Sequence, residues 1–234
     1  TDPLPVTIRT IVGRGWGQGP THSQFLGSTF AHFPGLTVVA PYDTVSARAG
    51  LRNALCDDRP TLVVEHRALY PDRLPWSGSR APGAGAPRGT VVSCSVGVWE
   101  ASDAAGMLWD TYGISVEVVP VFQLRPLQVA WILDSLAETR HLLVLDPGWT
   151  AYGFGAEVLA CAAESMAEYL DAAPVRVAPP DVPAPTSAPL EAAYWPGADA
   201  VVQAVLRMLG REGTVKGTEG TREGTDKDAF TGPY

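Results

Sequence analysis

Lysine is almost missing from this chain. It occurs twice in 234 residues, at Lys216 and Lys227, so every cationic side chain before residue 216 is Arg or His. That excludes a lysine Schiff base or a phosphate-loop lysine from the body of the protein. Cysteine is also scarce. Cys56, Cys94 and Cys161 are too few and too widely spaced for a zinc site or a disulfide framework, which points to a reduced, cytoplasmic protein. No apolar run reaches the ~18–20 residues needed to span a bilayer. Thr1-Asp2-Pro3-Leu4-Pro5 has neither the basic region nor the hydrophobic stretch of a secretory signal. Positive charge is in deficit, with 17 Lys+Arg against 25 Asp+Glu, net −8, and this argues against a general nucleic-acid binder. The sequence holds no nucleophile elbow, HExxH, Walker loop or paired-cysteine motif.

What is present reads as α/β. Val6-Thr7-Ile8, Leu36–Val39 and Thr61–Val64 have strand composition, and Val6, Ile8, Val38, Val63 and Val64 are expected to be buried on both faces. Asp43 suits the N-cap of a helix running to Leu55, with Val45, Leu51 and Leu55 at helical spacing. From residue 90 a strand–helix rhythm sets in. Strands are expected at Thr90–Ser95, Ser115–Val119, Leu142–Leu145 and Val175–Val177, and helices at about 97–112, 128–139, 153–170 and 197–209. This alternation predicts a mostly parallel sheet covered by helices. The domain reading is 1–65 as a partial first domain, 66–89 as a Pro/Gly/Ser-rich linker, 90–210 as a second domain and 211–234 as a tail. The tail repeats Glu-Gly-Thr, has few apolar residues and is expected to be disordered.

Three places invite a chemical reading. Gly13-Arg14-Gly15-Trp16-Gly17-Gln18-Gly19 lacks the third glycine and the later acidic residue of a dinucleotide fingerprint. It reads as a loop, either merely flexible or lining a ligand. His22 follows it, and an imidazole is suited to proton transfer near neutral pH; the bland alternative, shared by His32 and His66, is a structural or solvated histidine. His141 reads as a cation at a helix C-terminus. Asp146-Pro147-Gly148-Trp149 and Gly153-Phe154-Gly155-Ala156-Glu157 follow a buried-looking strand and read as a turn with close glycine packing.

Taken in order, several stretches resemble the beta subunit of the thiamine-diphosphate-dependent first component of 2-oxo acid dehydrogenase complexes. The matching stretches are Pro20-Thr21-His22-Ser23-Gln24, Phe33-Pro34-Gly35-Leu36-Thr37-Val38-Val39-Ala40-Pro41 and Cys56–Pro60 through Glu65-His66. Leu124-Arg125-Pro126-Leu127, Gly153–Glu157, Ala173–Val177, Asp181–Pro185 and Leu190-Glu191 complete the series. The resemblance covers residues 5–209. It implies a partial transketolase-like pyrimidine-binding domain followed by a transketolase carboxyl-terminal α/β domain, with about 100 residues of a family member preceding the point that matches Pro5.

The resemblance also implies a function. His22 is expected to act as proton donor and orienter when an acyl unit passes to lipoamide. A structural potassium ion is expected near Ala54, Leu55, Asp57 and Arg59, with a further contact at Val6. Thiamine diphosphate and magnesium are expected to be held mainly by partner chains. Those partners are an alpha subunit and the missing pyrimidine-domain half, and the acyl unit goes to a lipoyl acyltransferase or carrier protein. The alternatives are a split transketolase-like enzyme that passes a two-carbon unit to a carrier, and a truncated, non-catalytic assembly module.

Overall fold

The computed structural model describes residues 3–70, 75–78 and 85–211. The expected tail disorder therefore falls outside the described residues, apart from Arg211. The strands gather into two four-stranded sheets. The first contains β1 (Thr7–Val12), β2 (Thr37–Val39), β3 (Thr61–His66) and β6 (Gln123–Arg125), in the order β1-β3-β2-β6. The second contains β4 (Thr90–Cys94), β5 (Glu117–Val121), β7 (Leu142–Leu145) and β8 (Val175–Val177), in the order β5-β4-β7-β8. All pairings are parallel except β2 with β6. Parallel strands need helical crossovers. These are α2 (Thr44–Cys56) in the first unit, then α3 (Gly97–Tyr112), α4 (Ala130–Thr139) and α5 (Phe154–Met166) in the second.

β6 was not among the expected strands. It comes from the stretch between β5 and α4 but crosses to the first sheet, where Arg125 pairs with Val38 and Gln123 with Val39. One core accordingly spans both units. Val38, Ala40, Leu62 and Val64 of the first sheet pack with Val92, Val144, Leu136 and Phe154 of the second unit. The opposite face of the second sheet, including Val91, Leu143 and Leu145, is covered by α3 and by α7 (Ala198–Met208).

α2 forms as expected. Asp43 Oδ1 accepts the Ser46 N–H at 2.7 Å, and the Ser46 hydroxyl closes the reciprocal half of a capping box. Its buried face matches the expected one only in part: Leu51 packs against Val39 and Val63, but Val45 and Leu55 are exposed while Ser46, Gly50 and Ala54 are buried. A Cβ at Gly50 would stand 2.9 Å from the Phe122 ring, so any side chain there would have to displace that ring. The 66–89 stretch is more structured than a linker where it is described. A short 3-10 turn covers Arg67–Leu69, and the Trp76 backbone N–H donates to Asp43 Oδ2 at 2.9 Å. A further short helix, α6 (Ala188–Tyr194), follows the proline-rich segment and was not expected either.

Two of the five expected core residues are not in the core. Val38, Val63 and Val64 are buried, but Val6 is 42% and Ile8 49% exposed. The reason is topological. β1 pairs with β3 on one side and, among the described residues, with nothing on the other. An apolar edge of this kind is a template for association. The chain expressed alone is therefore expected to self-associate in sedimentation or light scattering as concentration rises. A monomer over a wide concentration range would count against that expectation.

Candidate functional site

His22 is placed by a compact loop. The chain leaves β1 at Val12, runs through the glycine-rich segment and turns in a short 3-10 helix, Gly19–Thr21, which His22 caps. The Gly13 N–H donates to the His22 carbonyl at 3.0 Å, closing the loop at its base, and the Ser23 N–H donates to the Gly19 carbonyl at 3.1 Å. The His22 side chain is exposed, and no hydrogen bond to its ring is found among the described residues. Its neighbours Ser23 and Phe25 are buried and fix the backbone from below. An imidazole that is anchored through its backbone yet bare at its ring can give or take a proton from a group that approaches from outside.

The other histidines are differently placed. His66 is buried at the end of β3. Its Nδ1 accepts the Ala68 N–H at 3.2 Å, and burial next to the positive Arg14 pushes its pKa down to about 3, so it stays neutral. His141 bonds through Nδ1 to the Thr139 carbonyl at 3.0 Å, directly after α4. His32 is exposed at the end of α1 (Gly27–Ala31). Two carboxylates beside the carboxyl ends of the first sheet are committed to structure. Glu65 accepts three bonds from the Arg9 guanidinium, at 2.8, 3.0 and 3.2 Å, and a fourth from the Tyr70 hydroxyl at 2.8 Å, while Asp43 caps α2.

The residues expected around potassium lie at the other end of that sheet. Ala54 and Leu55 are in the last turn of α2, Asp57 and Arg59 follow it, and the Val6 carbonyl accepts the Thr61 N–H at 2.9 Å. Arg59 grips the Asp57 carboxylate with its Nε at 3.2 Å and a terminal nitrogen at 2.9 Å, which holds the Asp57 pKa below its usual value. The carboxylate therefore already serves a cation. What is left to offer an ion is backbone oxygen.

Comparison with known proteins fits this architecture. A family model of the transketolase pyrimidine-binding domain matches residues 3–73, and one of the transketolase carboxyl-terminal domain matches residues 85–201. The chain belongs to the transketolase family. The pyruvate dehydrogenase E1 component beta subunit of Ascaris suum is 36% identical over 219 residues, covering 88% of this chain and 60% of that one. The Caenorhabditis elegans protein of the same name is 35% identical over 220 residues, with 88% and 62% covered. A solved structure entitled a split gene transketolase, inactive beta4 tetramer, superposes with a TM-score of 0.69 at 23% identity, over 89% of this chain and 67% of that chain. The chain thus spans about 60% of the length of the beta subunits it matches. Both beta subunits are named mitochondrial, so they lend no support to the cytoplasmic expectation.

Membership makes the fit of thiamine diphosphate a question about this chain's own residues. Among the described residues, no group of three or more His, Cys, Asp or Glu side chains gathers closely enough to hold a metal ion. The carboxylates beside the carboxyl ends of the first sheet, Glu65 and Asp43, are already engaged as described above. The residues described here do not fit a complete diphosphate and magnesium site. One cavity of about 570 Å³ is lined by Tyr42, Trp76, Val119, Phe122 and Trp131, and a smaller one by Asp43, Glu65, His66 and Tyr70; His22 lines neither. In this transketolase-type chain the switch point of the second sheet, between β4 and β7, is filled as well. There Asp146 is buried and bonded to the backbone, and a side chain at Gly148 would meet the Phe25 carbonyl at 3.1 Å.

Two side chains near the loop escaped the sequence reading. Arg14 pairs with Glu100 at the start of α3 and lies 5.1 Å from the Trp195 ring centre. Glu191, noted only as a landmark of the resemblance, turns out to be buried against the glycine-rich loop. Both contacts join residues at least 86 positions apart, so no local pattern could have signalled them.

Proposed function

We propose that this chain is a beta-type component of a thiamine-diphosphate-dependent 2-oxo acid dehydrogenase, of the kind that includes pyruvate dehydrogenase. The reading is carried by one observation. The segment matching the family's histidine stretch presents a bare imidazole, His22, on a loop whose backbone is fixed. In the overall reaction a 2-oxo acid loses carbon dioxide and its acyl carbon bonds to one sulfur of a lipoyl disulfide, while the other sulfur takes up a proton. His22 is this chain's contribution, a group that holds or delivers that proton when the lipoyl carrier arrives. The cofactor and its magnesium belong, on this reading, mainly to an alpha subunit and to the part of the pyrimidine-binding domain that lies outside these 234 residues. A potassium ion, where present, would rest on the backbone oxygens of Val6, Ala54, Leu55, Asp57 and Arg59 and stiffen the approach to β1.

The test is reconstitution. The purified chain with thiamine diphosphate, magnesium and pyruvate is expected to give no carbon dioxide above background. Adding an alpha-type subunit and the rest of the pyrimidine-binding domain, joined to this chain or separate from it, is expected to restore decarboxylation and reductive acylation of a lipoyl domain. Turnover by the chain alone would overturn the assembly requirement. Transfer of a two-carbon unit from a ketose, in place of a 2-oxo acid, would identify the split transketolase alternative.

A further inference from the structure

The loop that carries His22 does not hold its own shape. Gly15, Gly17 and Gly19 have φ values of 88°, 66° and 62°, which L side chains rarely adopt. Two of them press against one remote segment. A side chain at Gly17 would stand 2.8 Å from the Thr186 carbonyl oxygen, and one at Gly19 would stand 2.5 Å from Thr186 Cγ2. The same segment bonds to the loop. Glu191, on α6 and 3% exposed, accepts the Gly15 N–H on Oε1 at 2.7 Å and the Gly17 N–H on Oε2 at 3.0 Å. The Ala184 N–H donates to Gln24 Oε1 at 3.3 Å, and Trp195 backs the Arg14 guanidinium. Residues 184–195 thus form a strap that grips residues 14–24 on both sides of His22. A buried carboxylate is costly unless each oxygen is bonded, and here both oxygens are spent on one loop.

We propose that Glu191 is a positioning residue for His22. Its two oxygens select the loop conformation that holds the imidazole where it stands, and without them the loop samples other conformations. What this does to turnover rests on the role given to His22 above; the positioning itself does not.

The experiment separates the two. In the 234-residue chain, the ring signal of His22 is assigned by its loss in H22N and followed by NMR, together with amide exchange at Gly15 and Gly17. Glu191→Gln keeps one acceptor and sets an NH2 group against the other donor, and Glu191→Ala removes both. Each is expected to speed exchange at Gly15 and Gly17 by about tenfold or more, with Ala the greater, and to shift or broaden the His22 signal. Val202→Ala, in the α7 core, serves as a destabilised control and is expected to leave that signal in place. The proposal is overturned if the His22 signal is unchanged in both Glu191 variants, or if the control moves it equally. Neither measurement requires an active complex, so loss of the proposed function would leave the positioning result standing.

Discussion

His22→Ala in the reconstituted complex is expected to slow acyl transfer to the lipoyl carrier by about 100- to 10,000-fold, the usual worth of a positioned acid or base. Decarboxylation measured with an artificial electron acceptor is expected to fall far less, because the cofactor drives that step. Folding should not be the cause of the loss. The ring is exposed and has no hydrogen bond among the described residues, while the loop is closed through the His22 carbonyl and N–H, which alanine retains. Thermal stability is expected to stay within about 0.5 kcal/mol of the parent, as for surface substitutions generally. His22→Asn keeps polarity and approximate size but cannot titrate, so it should resemble Ala. An equal fall in both activities would mean that His22 organises the site or binds substrate. No change in either would return it to the solvated histidine that composition alone suggests.

The parts of the fold that local sequence announces are those whose environment is symmetrical. β7, Leu142-Leu143-Val144-Leu145, is an unbroken apolar run, and it is buried on both faces between β4 and β8. β4 and β3 read equally well for the same reason. Val6 and Ile8 have the same composition, yet they sit on or beside an edge strand. Edge position depends on which strand arrives next, and no residue of β1 encodes it. The α2 helix shows a second limit. Its cap, Asp43 with Ser46, is a local device and was legible. Its buried face includes Gly50, where the missing side chain leaves room for the Phe122 ring, some 70 residues away. The short β6 has one buried residue, Leu124, and no alternation long enough to read. The candidate site follows the same division. His22 was legible only through resemblance, because one exposed imidazole carries no pattern. The clamp of Glu191 on Gly15 and Gly17 was not legible at all.

Asp146 carries the second large effect expected. It stands at the end of β7 with its side chain buried, and each carboxylate oxygen accepts one backbone N–H at 2.8 Å, from Gly148 and from Gly155. Gly155 lies in the first turn of α5, whose N-cap is Gly153 and has no side chain to cap with. Asp146 therefore caps α5 from the preceding strand, an arrangement hidden in the sequence because donor and acceptor are nine positions apart. Asp146→Ala leaves two buried donors unpaired at about 1–3 kcal/mol each, so a loss of roughly 2–5 kcal/mol in chemical denaturation is expected. The charge itself works the other way. Burial raises the carboxyl pKa from 3.8 to about 6, outweighing the two N–H bonds and the positive Arg176, which lower it. The folded state thus binds the proton more tightly than the unfolded one. The resulting stability is fully present below pH ~4 and is lost as pH rises through about 6, a change on the order of 3 kcal/mol. Asp146→Asn keeps one acceptor and has no such titration. The stability of the parent relative to the Asn variant should therefore fall steadily between pH 4 and 7. If it rises over that window, the amides and the helix dipole hold Asp146 as an anion, and desolvation is the weaker effect.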